Sequence, residues 1–460
     1  EKLTATLRHP ADSIQTKIAG AIWNCASNSE NRSALRQLGC IPALLELLQH
    51  TNEHVQENAA GALWNLSVDT DNKAQILDYG GIGTLVKLLK SCQSQPILEN
   101  VSGTIWNCSA MLENRAAIRK YGGITTLLSL LQNGNEKIQD NCAGALRNCA
   151  INDQNKTAIR EAGGVELVFE LIDRVVASTQ DKLIAMLWIL TAAPEVKHAV
   201  RLCNGLPKLI ALIETTGLST QEKLVGALRN CATEPANRQQ LNECGVIATM
   251  TRFVQRNSQQ IAATTKESVA SAVWFLCRDD KITARREGGL ALMCKFLEDP
   301  HFGVVEHAAG ALSSLTITEP ENRDIIREEG GLQTLLNLLV QHHEICVVPI
   351  SGQSPQQPQS FSPALLNILL CIRNSTTANE TNATIAAAHP RALKALVFIV
   401  SKGVDEHSRE AALCVKNLSL DKSIAEELQS LGVSQALQSL ADRGVSEGVK
   451  KAAVMALQAI

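Results

Sequence analysis

Ala59-Ala60-Gly61-Ala62-Leu63-Trp64-Asn65-Leu66-Ser67 is one of several near-copies of a single phrase in this chain. The phrase returns as Ala19-Gly20-Ala21-Ile22-Trp23-Asn24-Cys25, as Ser102-Gly103-Thr104-Ile105-Trp106-Asn107-Cys108 and as Ala143-Gly144-Ala145-Leu146-Arg147-Asn148-Cys149. Another copy reads Gly226-Ala227-Leu228-Arg229-Asn230-Cys231, after a degenerate one ending Trp188-Ile189. The asparagines stand at 24, 65, 107 and 148, and again at 230 two steps later, so each step is 41 or 42 residues. Such a period means stacked copies of one helical unit, none of which can bury its apolar face alone.

The totals agree with an open-ended array. The 460 residues are several times what one hydrophobic core usually holds. Hydrophobic residues make up 45% and aromatic residues only 3%, a balance that favours many short Leu-, Ala- and Ile-rich helices over a sheet. A net charge of −3 selects neither nucleic acid nor a lipid surface as partner. The longest apolar runs are about ten residues, far short of a membrane span. The 14 cysteines form no Cys-x-x-Cys pair. Cys25, Cys108, Cys149 and Cys231 share the position that holds Leu66 and Leu190 in other copies, so they read as small core residues with free thiols in a reducing compartment. Sequons such as Asn65-Leu66-Ser67 fall inside the repeat helix and belong to its pattern, not to glycosylation. Glu1 falls inside a repeat and Ile460 inside a helical pattern, so flanking tails are expected beyond both ends.

Each copy has three parts. A short helix opens with Asn and a base, as in Asn72-Lys73, Asn114-Arg115, Asn155-Lys156, Asn237-Arg238 and Asn322-Arg323. A glycine pair follows, as in Gly80-Gly81, Gly122-Gly123 and Gly163-Gly164, where a left-handed residue ends the helix and turns the chain. A second helix then leads through a polar loop into the long third helix that carries the repeated phrase. Two intervals break the period. Gln255 to Thr265 reads as a longer polar connection, and a Pro-, Gln- and Ser-rich segment at about 347–362 reads as a mobile loop inserted in a late repeat.

This in-phase pattern resembles the armadillo repeat across nearly all of the chain. The resemblance implies an all-α, right-handed superhelical solenoid of about 11 repeats of three helices, a single array over 1–460 with the first repeat partial. Third helices are expected near 24, 65, 107, 148, 189, 230, 275, 314, 374, 417 and 458, lining a concave groove. Leu63 and Leu66 belong to the core. Gly61 leaves the groove open, and the Asn amides face it, able to pair with the main chain of an extended peptide. Trp23, Trp64, Trp106, Trp188 and Trp274 all precede the Asn position, which Arg147, Arg229, Arg373 and Lys416 precede in other copies. A place that accepts Trp, Arg or Lys is partly exposed, and Trp and Arg are the side chains most enriched at binding hot spots.

Nuclear-import armadillo adaptors carry Trp one turn before the Asn. This chain has Gly20, Gly61, Gly103, Gly144, Ala185, Gly226, Ser271 and Gly310 there, which instead resembles the catenin-like and vacuolar scaffolds. Ala199-Val200-Arg201-Leu202, Gly205-Leu206-Pro207, Leu228-Arg229-Asn230, Pro235-Ala236-Asn237 and Leu276-Cys277-Arg278-Asp279 look like late repeats of β-catenin-like proteins. That likeness implies a non-catalytic interaction scaffold in cell adhesion or Wnt-type signalling, in the cytoplasm and also the nucleus or cell junctions. Its partners would be extended or disordered, acidic protein segments such as cadherin-like tails or transcription-factor segments, with no nucleic acid bound directly and no membrane insertion. The implied groove residues are Trp23, Asn24, Trp64, Asn65, Trp106, Asn107, Arg147, Asn148, Arg229 and Asn230. Lys73, Arg115, Lys156 and Arg238 join them at the starts of first helices. The alternatives are a structural scaffold of vacuole, cytoskeleton or cilium, and an import adaptor for basic cargo.

Enzyme signals are poor. The Gly-Gly pairs are turns, no GxxxxGK[ST] occurs, and Ser, His and Asp form no nucleophile motif. His342-His343 with Glu344 and Cys346 reads as a solvated polar turn, not as a metal site. No cofactor and no catalytic residue is expected.

Overall fold

The computed structural model describes residues 2–347, 362–420, 422–443 and 446–460, so the insert expected at about 347–362 lies almost wholly outside the described residues. Among them every regular element is a helix. The chain forms two compact units, Glu1–Lys208 and Leu209–Ile460.

In the first unit the third helices are Asp12–Cys25, Glu53–Leu66, Gln95–Cys108, Glu136–Cys149 and Ala177–Leu190. In the second they are Leu218–Ala232, Ala263–Leu276, Phe302–Thr316, Pro363–Thr376, Asp405–Leu418 and Glu447–Leu457. The positions from 24 to 417 therefore mark the last turns of their third helices, not the middles, and 458 stands just past the end of Glu447–Leu457. Within each unit a third helix packs on the third helices before and after it. Leu63, Leu66, Ile105, Leu146 and Leu187 are fully buried in that stack. Burying a Leu or Ile side chain stabilises by about 1.5–3 kcal/mol, and the repeat supplies several per copy.

The turns follow from the glycine pairs. Gly80 and Gly122 have φ of 70° and 74°, the left-handed region where other residues are strained. The second glycine of each pair opens the second helix, as Gly81–Ser91 and Gly123–Asn133 do. The expected long connection at Gln255 to Thr265 is shorter than read. The second helix runs on to Asn257 and the third begins at Ala263.

The asparagines that open the first helices do a job the sequence pattern did not disclose. Asn72, Asn114, Asn155, Asn237 and Asn322 are fully buried. Asn72 Nδ2 donates to the Leu66 carbonyl at 2.9 Å, Asn114 to Cys108 at 3.0 Å and Asn322 to Leu315 at 2.8 Å. Each carbonyl lies in the last turn of a third helix, where intrahelical donors run out; those of Leu66 and Cys108 also accept from the Asp69 and Met111 amides at 3.3 and 3.1 Å. The bases beside them work likewise. Arg115 donates to the Ser109 and Ala110 carbonyls at 2.8 and 2.9 Å, and Arg32 to Ala26 and Ser27 at 2.9 and 3.0 Å.

Three smaller readings change. Cys108, Cys149 and Cys231 are buried as expected, but Cys25, on the first third helix among the described residues, is exposed. Burial pushes the Cys108 and Cys149 thiols up to about 12. His342, His343 and Glu344 lie in the helix Gly331–Val347, not in a turn. His343 packs edge-on against Phe398 with centroids 4.9 Å apart, and Glu344 pairs with Arg391. Among the described residues no cluster of three His, Cys, Asp or Glu side chains is placed to hold a metal. No single described helix is long and apolar enough to cross a membrane. One bent pair, Glu380–Ala387 with Pro390–Lys402, has the length and composition, but its Ala383, Ala386, Leu393 and Leu396 are buried in the repeat.

Candidate functional site

The last turns of the third helices carry the sequence-predicted Trp and Asn residues with Arg147 and Arg229, whereas Lys73, Arg115, Lys156 and Arg238 lie on first helices. In the first unit Trp23, Trp64 and Trp106 are half-buried, and Arg147 and Trp188 are exposed. The partner of the Trp23, Trp64 and Trp106 indoles is the glycine of the next repeat. A Cβ added to Gly61 would lie 2.4 Å from the Trp23 ring, one on Gly103 2.6 Å from Trp64, and one on Gly144 2.5 Å from Trp106. Gly310 has the same relation to Trp274 in the second unit, at 2.8 Å. The glycine is thus a seat for the preceding indole; it does not leave the groove open. Where the preceding residue is Arg147 the seat is Ala185. Where it is Arg229 the seat is Ser271, whose hydroxyl accepts from Arg229 Nε at 3.3 Å. Lys137 and Lys182 place their ammonium groups 5.0 and 4.6 Å from the ring centres of Trp64 and Trp106. Cation–π contacts of this kind contribute about 0.5–1 kcal/mol at exposed sites.

The amides divide their work. Asn65 Nδ2 donates to the Trp23 carbonyl at 3.0 Å. Asn107 donates to Ser67 Oγ at 3.0 Å and the Trp64 carbonyl at 3.3 Å, and Asn148 to Ser109 Oγ at 3.0 Å. The donor side therefore ties each repeat to the one before. The Oδ1 atoms of Asn65, Asn107 and Asn148 accept no hydrogen bond among the described residues, and all three side chains are half-buried. Asn24, on the first third helix among the described residues, is exposed.

The bases separate into used and available groups. Arg147 is exposed and makes no hydrogen bond or ion pair among the described residues. Lys73 is half-buried. Lys156 pairs with Asp153 at 2.8 Å. Arg115 is occupied by the carbonyls named above. Arg238, 8% exposed, pairs with Asp279 at 2.5 Å and donates to the Thr233 carbonyl at 3.4 Å. Arg229 donates to its neighbour Asn230 Oδ1 at 3.2 Å. Arg229, Asn230 and Arg238 belong to the second unit; the other implied residues belong to the first.

An acidic register went unread in the sequence. Seven residues before the Trp or Arg position stand Glu57, Glu99, Asp140 and Asp181, and in the second unit Glu222, Glu267 and Glu306. Two helical turns put them on the same face as the indoles. The carboxylates of Glu99, Asp140 and Glu222 reach the start of the next third helix. Glu99 pairs with Lys137 at 3.1 Å and accepts from Asn135 Nδ2 at 2.9 Å. Asp140 pairs with Lys182 and accepts from Ser178 and Thr179 hydroxyls at 2.9 and 3.1 Å. Glu222 accepts from the Ala262 amide at 3.3 Å and Thr265 Oγ1 at 3.0 Å. A negative group at a helix N-terminus is favourable. Burial alone would raise the Asp140 pKa, but the bonds from Lys182, Ser178 and Thr179 outweigh it and hold the carboxyl below the ordinary range. The signal was available: acids recur with the same period as the asparagines.

Residues 28–68, 69–110 and 113–151 match the model of the Armadillo/beta-catenin-like repeat. No curated protein matches the chain. Among solved structures, an engineered protein is 23% identical over all of this chain and 98% of its own, with a TM-score of 0.55. A structure from work on a conserved phosphorylation switch that controls the interaction between cadherin and beta-catenin, in vitro and in vivo, is 16% identical. It covers 99% of this chain and 90% of its own, with a TM-score of 0.83. The fold is therefore an all-α solenoid of armadillo repeats.

Proposed function

We propose that the chain is a non-catalytic protein-binding scaffold of β-catenin-like type, holding extended segments of partner proteins across the third-helix face of its first unit. The observation that carries this reading is the row Asn65, Asn107 and Asn148, one carboxamide oxygen per repeat that accepts nothing among the described residues, on an amide whose nitrogen is tied to the preceding repeat. An extended segment presents backbone N–H groups along its length, and such acceptors take them without selecting side chains. The indoles of Trp64 and Trp106 supply apolar surface between them, and exposed Arg147 supplies a charge for an acidic partner residue. The acids Glu99 and Asp140 are held by lysines of the next helix, which leaves Arg147 the freer charge on this face. A place in cell adhesion or signalling, in cytoplasm, nucleus or junctions, follows from the β-catenin-like reading.

The test is calorimetric titration of an acidic, extended peptide against the wild type and the double variant Arg147→Ala/Asn148→Ala. We expect at least tenfold weaker binding, from loss of a charge-assisted contact and an acceptor. Helicity should stay unchanged, and Tm should fall by a few degrees at most, since only the bond from Asn148 to Ser109 is lost within the fold. Equal affinity of the two proteins would overturn the reading, as would collapse of the variant's helicity.

A further inference from the structure

First helices of successive repeats are joined by an arginine clamp. Arg36 Nη1 donates to Asn72 Oδ1 at 3.2 Å and pairs with Asp69 at 2.9 Å. Arg119 donates to Asn155 Oδ1 at 2.5 Å and Asn152 Oδ1 at 3.3 Å. In the second unit Arg285 donates to Asn322 at 3.2 Å and pairs with Glu321 at 2.6 Å, and Arg327 donates to Asn382 at 3.0 Å. The acceptors are the buried asparagine of the next first helix and an acid or amide in the first turn or just before it. Where the arginine position holds Leu77, the facing Asn114 Oδ1 is buried with no partner among the described residues.

The joint after Asp153–Glu161 lacks the other half. Arg160 stands at the clamp position, but the facing helix Pro194–Leu202 offers Ala193 and Val196 where Asp69 and Asn72 stand in the earlier repeat. Val196 is 1% exposed and Ala193 ends in a methyl group. Among the described residues Arg160 pairs only with its neighbour Glu161, at 3.2 Å, and 34% of its side chain is exposed. Two cavities of about 370 and 550 Å³ meet at Arg160 and Glu195. The first also takes in Lys156, one turn before Arg160 on the same helix face, and the second takes in His198. Asp69 Oδ1 shows what such a place binds: the same atom takes Arg36 and, at 3.1 Å, the Asn72 amide at its helix start. Ala193 gives the helix Pro194–Leu202 no such side-chain cap.

We propose that this joint is a binding site for one carboxylate side chain, Asp or Glu, of a partner segment, gripped by the Arg160 guanidinium with Lys156 beside it. The partner supplies from outside what Asp69 supplies from within two repeats earlier. Asp153 is held by Lys156, and the Glu195 and Glu166 carboxylates on the cavity walls oppose any incoming acid, so the grip rests on contact with the Arg160 guanidinium. The site shares no residue with the proposed third-helix surface; Lys156 and Arg160 lie on the first helix Asp153–Glu161.

The experiment uses the 460-residue chain labelled with ¹⁵N-arginine. The Arg160 Nε–Hε signal is assigned by its loss in Arg160→Lys, and the Arg147 signal likewise. Three decapeptides of glycine and serine, differing only in a central Asp, Asn or Lys, are titrated. The Asp peptide should shift the Arg160 signal saturably, with about tenfold weaker binding for Asn and none for Lys. Ala193→Asp, which supplies the carboxylate from the chain itself, should move the Arg160 signal in the free protein and abolish the peptide response. Arg147→Ala/Asn148→Ala should leave that response intact, so failure of the third-helix reading and failure of this one are separable. Equal shifts with Asp and Lys peptides would overturn the proposal, as would an unchanged peptide response in Ala193→Asp or a response confined to Arg147.

Discussion

Gly61 and Trp23 form a pair whose energy has an unusual sign. Alanine is normally the better helix residue, by about 1 kcal/mol over glycine. A Cβ at Gly61, however, would lie 2.4 Å from the indole of Trp23, a contact that forces the ring or the helix to move. Overpacking of that kind costs about 1–3 kcal/mol. Gly61→Ala should therefore lower stability by about 1 kcal/mol in the wild type and raise it by up to about 1 kcal/mol in a Trp23→Ala background. Urea titrations of the four proteins measure both signs, and the same sign in both backgrounds would show that the indole does not occupy the seat. The sequence displayed both residues in phase but read them as independent, because their contact joins position 61 to position 23 in the previous copy. The asparagine was legible as a residue of the third-helix face. That its donor side bonds the preceding repeat was not, since one amide carries two donors and one carbonyl, and only geometry divides them.

At the level of the helix, the period and the glycine pairs located nearly every element, because spacing and left-handed turns are local properties. What escaped is what passes between elements. The buried Asn72 and the acid Asp140 act on helices of adjacent repeats, and no local pattern names their partners. Asp140 makes a pH-dependent example. Its folded pKa lies below the unfolded value, so its tether to the helix Ala177–Leu190 stabilises above about pH 4 and is lost as pH falls through the folded pKa. Asp140→Asn should cost about 1 kcal/mol at pH 7, and the difference from wild type should shrink toward pH 3. Chemical denaturation at the two pH values checks it; an equal difference at both would mean the carboxylate charge contributes nothing to the tether.

Taken as a whole, each unit is a stack in which most of the stabilisation is exchanged between neighbours. Helices with neighbours on both sides should open least. In the 460-residue chain, backbone amides of Gln95–Cys108 and Glu136–Cys149, each packed between two third helices, should exchange at least tenfold more slowly than those of Asp12–Cys25, which among the described residues packs on one third helix. Native-state hydrogen exchange decides this, and uniform protection would point to one global opening in place of nearest-neighbour coupling. The glycine seats carry a last consequence, for inheritance and engineering. The surface letter of one repeat, Trp or Arg, is matched by a backbone letter in the next, Gly for Trp23, Trp64, Trp106 and Trp274, and Ala or Ser for Arg147 and Arg229. A repeat cut at its turns and pasted elsewhere would therefore arrive with half of two words. The smallest piece that can be transplanted with its recognition residue intact is a third helix together with the start of the motif that follows it, so the exchangeable module of this protein straddles the repeats its period defines.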